Sequence, residues 1–170
     1  IIDYPLTPNQ ISIAVFFISV FSGLIISIEG YFFLLLGALL AQLSSILDGC
    51  DGEIARLKLL ESKFGEFFDR VLDRYSDLFI LTGLTFHTYF IHKTLTVFFI
   101  GFIVVGGKII LSYTAYISDS MVSDHNSFRI GRDLIILIIL IGALFNIPYI
   151  TLVVLAFIIN VEVCKRLWIL

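Results

Sequence analysis

Apolar runs long enough to cross a lipid bilayer recur along almost the whole chain, and they limit the fold more than any other feature. At 1.5 Å per residue, a helix over residues 9–28 is about 30 Å long, the thickness of a hydrocarbon core. Further apolar runs cover Tyr31–Leu47, Phe67–Ile91, Thr94–Ile117, the stretch that Arg129 and Arg132 open and Phe145 closes, and Pro148 to about Lys165-Arg166. Of the 170 residues, 59% are hydrophobic, with 17 Phe against one Trp and one Met. A water-soluble domain of this size lacks the interior to hide so much apolar surface. The expected class is therefore an all-α integral membrane protein with six transmembrane helices.

The breaks between runs carry turn and cap chemistry. Thr7-Pro8-Asn9-Gln10 predicts a helix start, with Thr as N-cap and Pro at the first helical position. Glu29-Gly30 and His92-Lys93 mark turns, and Ser118–Phe128 is the longest polar loop. Gly37, Ala41 and Ser45 recur every fourth residue, a small-residue seam of the kind that lets membrane helices pack closely. Six crossings place both termini on one side. Arg56, Lys58, Lys63, Arg70, Arg129, Arg132, Lys165 and Arg166 lie near that side, and Lys93 lies near the other, with Arg74 and Lys108 deeper. The positive-inside rule then makes the termini cytoplasmic.

Other classes find little support. A net charge of −3 without a basic run gives no reason to expect nucleic acid. Cys50 and Cys164 form no disulfide framework and read as apolar fillers. His87, His92 and His125 share no motif. The chain starts at Ile1 without a Met or a cleavable signal pattern, so residues 1–170 are expected to be one membrane domain excised from a longer protein.

Ionisable chemistry concentrates in residues 48–73, and charge in hydrocarbon marks a functional site by default. With about 100° per residue, Asp51, Ala55, Asp48, Gly52 and Arg56 fall at roughly −60°, −20°, 0°, 40° and 80° on one side of a helix. On a second helix Gly65, Asp69 and Asp73 form a narrower stripe, so two faces can aim four carboxylates at each other. Four such groups repel one another unless cations join them. An all-oxygen set suits hard divalent ions, Mg²⁺ or Mn²⁺, better than Zn²⁺. Gly52, Ala55 and Gly65 let a substrate approach the backbone, and Arg56 offers a planar fork to a phosphate.

Asp48-x-x-Asp51-Gly52-x-x-Ala55-Arg56, eight residues, Gly65-x-x-x-Asp69-x-x-x-Asp73 resembles the complete signature of the CDP-alcohol phosphotransferase family. The resemblance implies transfer of a substituted phosphate group from a CDP-alcohol to a polar alcohol, with release of CMP. It implies two divalent ions held by Asp48, Asp51, Asp69 and Asp73, with Asp73 also the general base. It implies a CDP site at Asp48, Asp51, Gly52, Ala55, Arg56 and Gly65, on the cytoplasmic face, in a protein that pairs as a homodimer. Thr7 and Asn9 are weaker CDP candidates, because family members begin their first membrane helix near the nucleotide; simple capping explains them equally well.

Lys108, Arg129 and Arg132 are the basic residues left for an acceptor site. Inositol-phosphate-using members of the family place a Lys/Arg pocket on corresponding helices, so inositol phosphate is the expected acceptor. Ser112-Tyr113-Thr114-Ala115-Tyr116 lacks the arginines many members carry after a Ser-Tyr pair. Glycerol phosphate or serine therefore remain alternatives, and the donor carries either a lipid or inositol. Lys108, deep in its span, either faces a polar cavity, the preferred reading, or snorkels to an interface. Asp77 continues the i, i+4 series and is read as an i, i+3 partner of Arg74 in preference to a ligand. A cation- or proton-coupled carrier is the competing class, disfavoured by the clustering at one face and the lack of internal repeats.

Overall fold

The computed structural model describes residues 8–57, 63–121 and 131–169, with side chains over 10–49, 63–114 and 131–168. Six helices account for nearly all of these: α1 (Pro8–Ile26), α2 (Tyr31–Leu57), α3 (Lys63–His92), α4 (Leu95–Met121), α5 (Arg132–Leu144) and α6 (Pro148–Ile169). No strand occurs among the described residues. Pro8 and Pro148 each sit at a first helical position, where the missing N–H costs nothing. Gly30, at φ 125°, turns the chain between α1 and α2 in a conformation that side-chain-bearing residues rarely adopt. Lys93 and Asn146 make the corresponding left-handed turns before α4 and α6.

Two helices run further than the apolar pattern alone indicates. α2 continues straight through the charged stretch to Leu57, and α3 starts at Lys63, so Gly65 lies in its first turn. Asp48 and Asp51 therefore share one helix, and Gly65, Asp69 and Asp73 share the next, as the spacing predicts. Tyr31–Gly49 and Leu95–Thr114 are long and apolar enough to cross a membrane, and Gln10–Ile26 is a shorter apolar helix. α5, with 13 residues, is about 20 Å long.

α1 packs on both α2 and α3, α4 on α3 and α6, and α5 on α2 and α6. Side chains at helical spacing form the core: Leu34, Ala38 and Ala41 of α2, Ile80, Leu81 and Leu84 of α3, Ile135, Ile136 and Ile139 of α5. Small residues set the closest approaches. A Cβ on Gly83 would land on the Gly23 carbonyl, and one on Gly23 would meet the Phe79 carbonyl, so α1 and α3 touch backbone to backbone. The small-residue seam of α2 lies in this interior too: Ser22 Oγ donates 2.8 Å to the Gly37 carbonyl, and Ala41 and Ser45 are buried.

Polarity is inverted relative to a protein that folds in water. Ser19, Ser22, Ser44, Ser76, Asp77, Thr85, His87, Thr88, Lys108 and Glu162 are buried, while Phe17, Phe21, Phe32, Phe99, Phe102 and Phe157 are exposed. The buried hydroxyls of Thr85 and Thr88 donate back to Leu81 and Leu84, which satisfies them within their own helix. His87 Nδ1 lies 2.9 Å from the Ile28 carbonyl and ties α3 to the turn after α1. Glu162 faces Arg166 at 3.2 Å, and Arg166 Nη1 donates 3.1 Å to the Leu111 carbonyl, joining α6 to α4.

Candidate active site

Charged side chains from four helices meet inside the bundle, around Arg132. Its Nη1 lies 2.5 Å from Asp73 Oδ1 and 3.0 Å from Asp48 Oδ2. Nε lies 3.5 Å from Asp77 Oδ1, and Nη2 donates 3.4 Å to Ser19 Oγ on α1. Lys108 Nζ of α4 lies 3.2 Å from the other oxygen of Asp77. Three carboxylates thus face two cations in one continuous network.

Each partner is aimed by its helix. Asp73 and Asp77 stand one turn apart on α3, so both face α5 and α4 across the interior. Arg132 is the first residue of α5, where its long side chain reaches back over the helix start. Asp133 anchors that start: it accepts a 2.5 Å hydrogen bond from Ser45 Oγ of α2 and places a negative charge in the first turn. Asp69 is half-buried and lies near enough to Asp48 and Asp73 to repel both.

Burial grades along the network. Asp48 and Asp73 side chains are 24% and 21% exposed, whereas Asp77, Lys108 and Arg132 are nearly closed off. The site therefore opens at the Asp48–Asp73 end. At the closed end, Asp77 Oδ2 and Arg132 Nε have no aligned hydrogen-bond partner among the described residues, so charge more than hydrogen bonding holds that end together.

The structure places Asp48 and Asp73 within reach of one shared atom, with Asp69 beside them. Among the described residues no group of three or more His, Cys, Asp or Glu side chains is arranged to hold a metal ion. Asp51, Gly52, Ala55 and Arg56 lie on α2 and Asn9 on α1, but their side chains fall outside the described set, as do Thr7 and Arg129 altogether. Asp48 and Asp73 bring carboxylate oxygens from two helices to one cationic atom, and in the chemistry of their donors these two residues fit a divalent ion.

One reading needs correction. Asp77 turns inward to Lys108 and Arg132 instead of pairing with Arg74, because the drift of the i, i+4 series carries it toward α4. Lys108 accordingly faces the polar interior, as its depth in the chain suggests. Asp133, which fixes the start of α5 through Ser45 of the small-residue seam, carries no motif of its own. The signal available was the Arg132-Asp133 pair at a helix start.

Fold and site together define an all-helical bundle that keeps a mixed acidic and basic cluster inside an apolar exterior. The chain belongs to the CDP-alcohol phosphatidyltransferase family, whose sequence model matches residues 5–164. A bifunctional IPC transferase and DIPP synthase from Rubrobacter xylanophilus is 31% identical over 171 residues, covering 98% of this chain and 38% of that one. Its counterpart from Aquifex aeolicus is 44% identical over 81 residues, covering 48% and 18%. An archaetidylinositol phosphate synthase from Pyrococcus horikoshii is 34% identical over 79 residues, 46% of this chain and 40% of that one. The chain thus spans less than half the length of these relatives.

The fold is similar to that of Mycobacterium tuberculosis phosphatidylinositol phosphate synthase. The crystal structure of that protein with CDP-DAG bound aligns with TM-score 0.80 at 22% identity, covering 96% of this chain and 85% of that one. Its complex with manganese and citrate aligns with TM-score 0.78 at 23% identity, covering 95% and 81%.

Proposed function

We propose that the protein is a membrane-embedded CDP-alcohol phosphotransferase that transfers a substituted phosphate group to inositol phosphate and releases CMP. The observation that carries the reading is the convergence of Asp48 and Asp73, two signature aspartates on different helices, on one cationic atom beside the open end of the cluster. Relatives named for inositol phosphate products support the acceptor, and the Lys108–Asp77–Arg132 arrangement supplies two cations to hold its phosphate.

In this reading Asp48, Asp51, Asp69 and Asp73 hold two divalent ions, Mg²⁺ or Mn²⁺. When bound, these ions neutralise the pyrophosphate and stabilise the departing CMP. Manganese in a fold relative supports the choice of a hard cation. Arg56 grips a phosphate of the CDP moiety through its fork, while Gly52, Ala55 and Gly65 leave room for the nucleotide against the helices. Thr7 and Asn9 contribute to nucleotide binding. Asp73 takes the proton from the acceptor hydroxyl as its oxygen bonds to the donor phosphorus and the bond to CMP breaks. Lys108, Arg129 and Arg132 orient the acceptor, so that its hydroxyl is presented in line and water is excluded.

The exposed phenylalanines and buried polar interior support a bilayer around the bundle. Six crossings, cytoplasmic termini and active site, and a homodimer complete the proposal; α5 crosses with local thinning of the bilayer. The test is CMP release by the purified protein with Mg²⁺, pairing CDP-diacylglycerol, CDP-archaeol or CDP-inositol with inositol phosphate, glycerol phosphate or serine. Release that needs inositol phosphate is expected. Release with glycerol phosphate or serine instead would displace the acceptor assignment, and no release from any pair despite CDP binding would count against the reaction.

A further inference from the structure

The contacts of Arg132 are uneven. Nη1 is shared by Asp73 and Asp48 at 2.5 and 3.0 Å, while Nη2 reaches Ser19 at 3.4 Å and Nε lies 3.5 Å from Asp77 without an aligned hydrogen bond among the described residues. The strongest attraction is thus concentrated at one nitrogen, at the point where oxygens from α2 and α3 converge. A hard divalent ion coordinates carboxylate oxygen directly, at about 2.0–2.1 Å for Mg²⁺. An ion bridging Asp48 and Asp73 at that convergence point would compete with the guanidinium nitrogen for the same place, because the two cations repel at such close range.

We propose that Arg132 is a resident counter-cation of Asp48 and Asp73 that divalent metal displaces, and that the displaced guanidinium, still beside Asp77 and Ser19, then receives the anionic acceptor. The inference rests on the metal reading of the aspartates given above. It links two events that the reaction needs in order: metal loading frees the cation that the acceptor phosphate requires. It also keeps the buried carboxylates compensated before metal arrives, when bare charge inside the bundle would be costly. The neighbours are suited to this exchange. Asp77 stays paired with Lys108 on its other oxygen, and Asp133 stays bonded to Ser45, so the start of α5 remains fixed while the Arg132 side chain moves.

Two measurements on the purified full-length protein test it. The first is calorimetric titration with Mn²⁺ alone. Competition predicts that Arg132→Gln binds Mn²⁺ more tightly than wild type, on the order of tenfold. Unchanged or weaker binding, as expected if Arg132 merely aligns the aspartates, would overturn the proposal. The second needs no variant to fold: phenylglyoxal modification of Arg132 in the wild type, followed by mass spectrometry with and without Mn²⁺. Displacement predicts severalfold faster modification with Mn²⁺, and an equal or slower rate contradicts it. A wild type that binds no Mn²⁺ would remove the metal reading and the displacement together. Mn²⁺ binding without the two predicted shifts would remove the displacement alone.

Discussion

Lys108 and Asp77 form an ion pair 3.2 Å long between α4 and α3, with side chains only 8% and 5% exposed. The other Asp77 oxygen faces Arg132, so one carboxylate sets the positions of both cations. Asp77→Asn leaves Lys108 without its described counter-charge in a buried setting, a loss of about 3–5 kcal/mol. Asp77→Asn combined with Lys108→Met should recover most of that loss. Denaturant unfolding in detergent checks it, and additive losses in the double variant would contradict the pairing.

Lys108→Gln keeps a polar side chain, one atom shorter, and removes the charge from the proposed acceptor end of the network. Acceptor KM should rise roughly 10- to 100-fold, the cost of one charge-assisted hydrogen bond, while CDP binding stays within about twofold. Steady-state CMP release together with CDP calorimetry separates the two. Equal changes in both would place Lys108 outside the acceptor site.

The α1–α3 contact makes a packing prediction independent of any ligand. Gly83→Ala drives a methyl group into the Gly23 carbonyl, and the helices must separate to admit it, costing about 1–3 kcal/mol. Gly106→Ala meets nothing within 4 Å and should be neutral or slightly stabilising. Thermal unfolding of the two variants side by side tests the contrast; equal midpoints would argue against the close approach.

Helix positions and faces were legible in the sequence because they follow from local rules. Apolar runs, Pro8, Pro148 and Gly30 mark the elements, and a period of 3.6 puts Asp69 and Asp73 on one stripe. What was not legible is which side chain answers which across the interior. Arg132 meets Asp73 over a separation of 59 residues, and no local pattern encodes that meeting. It depends on α5 packing against α2 and on the Ser45–Asp133 bond that fixes its first turn. The partner of Asp77 is hidden for a related reason: at i+4 from Asp73 its small angular drift is compatible with a partner on its own helix or on α4, and packing chooses α4.

Asp73→Asn preserves shape but removes the carboxylate charge, and with it the proposed proton acceptor and one proposed metal ligand. Loss of a positioned general base alone costs about 10²- to 10⁴-fold in rate, so kcat should fall by at least that order. CMP release at saturating donor and acceptor measures it. Wild-type kcat in the variant would remove Asp73 from the chemistry.

The proposed reaction is group transfer from a CDP-alcohol to inositol phosphate with divalent metal. Its most direct test is to follow CMP formation and inositol phosphate consumption in one reaction of the purified protein, with Mg²⁺ and then with excess EDTA. One CMP formed for each inositol phosphate consumed, with both stopping in EDTA, is the predicted result. CMP formed while inositol phosphate remains unconsumed, or turnover that continues in EDTA, would contradict it.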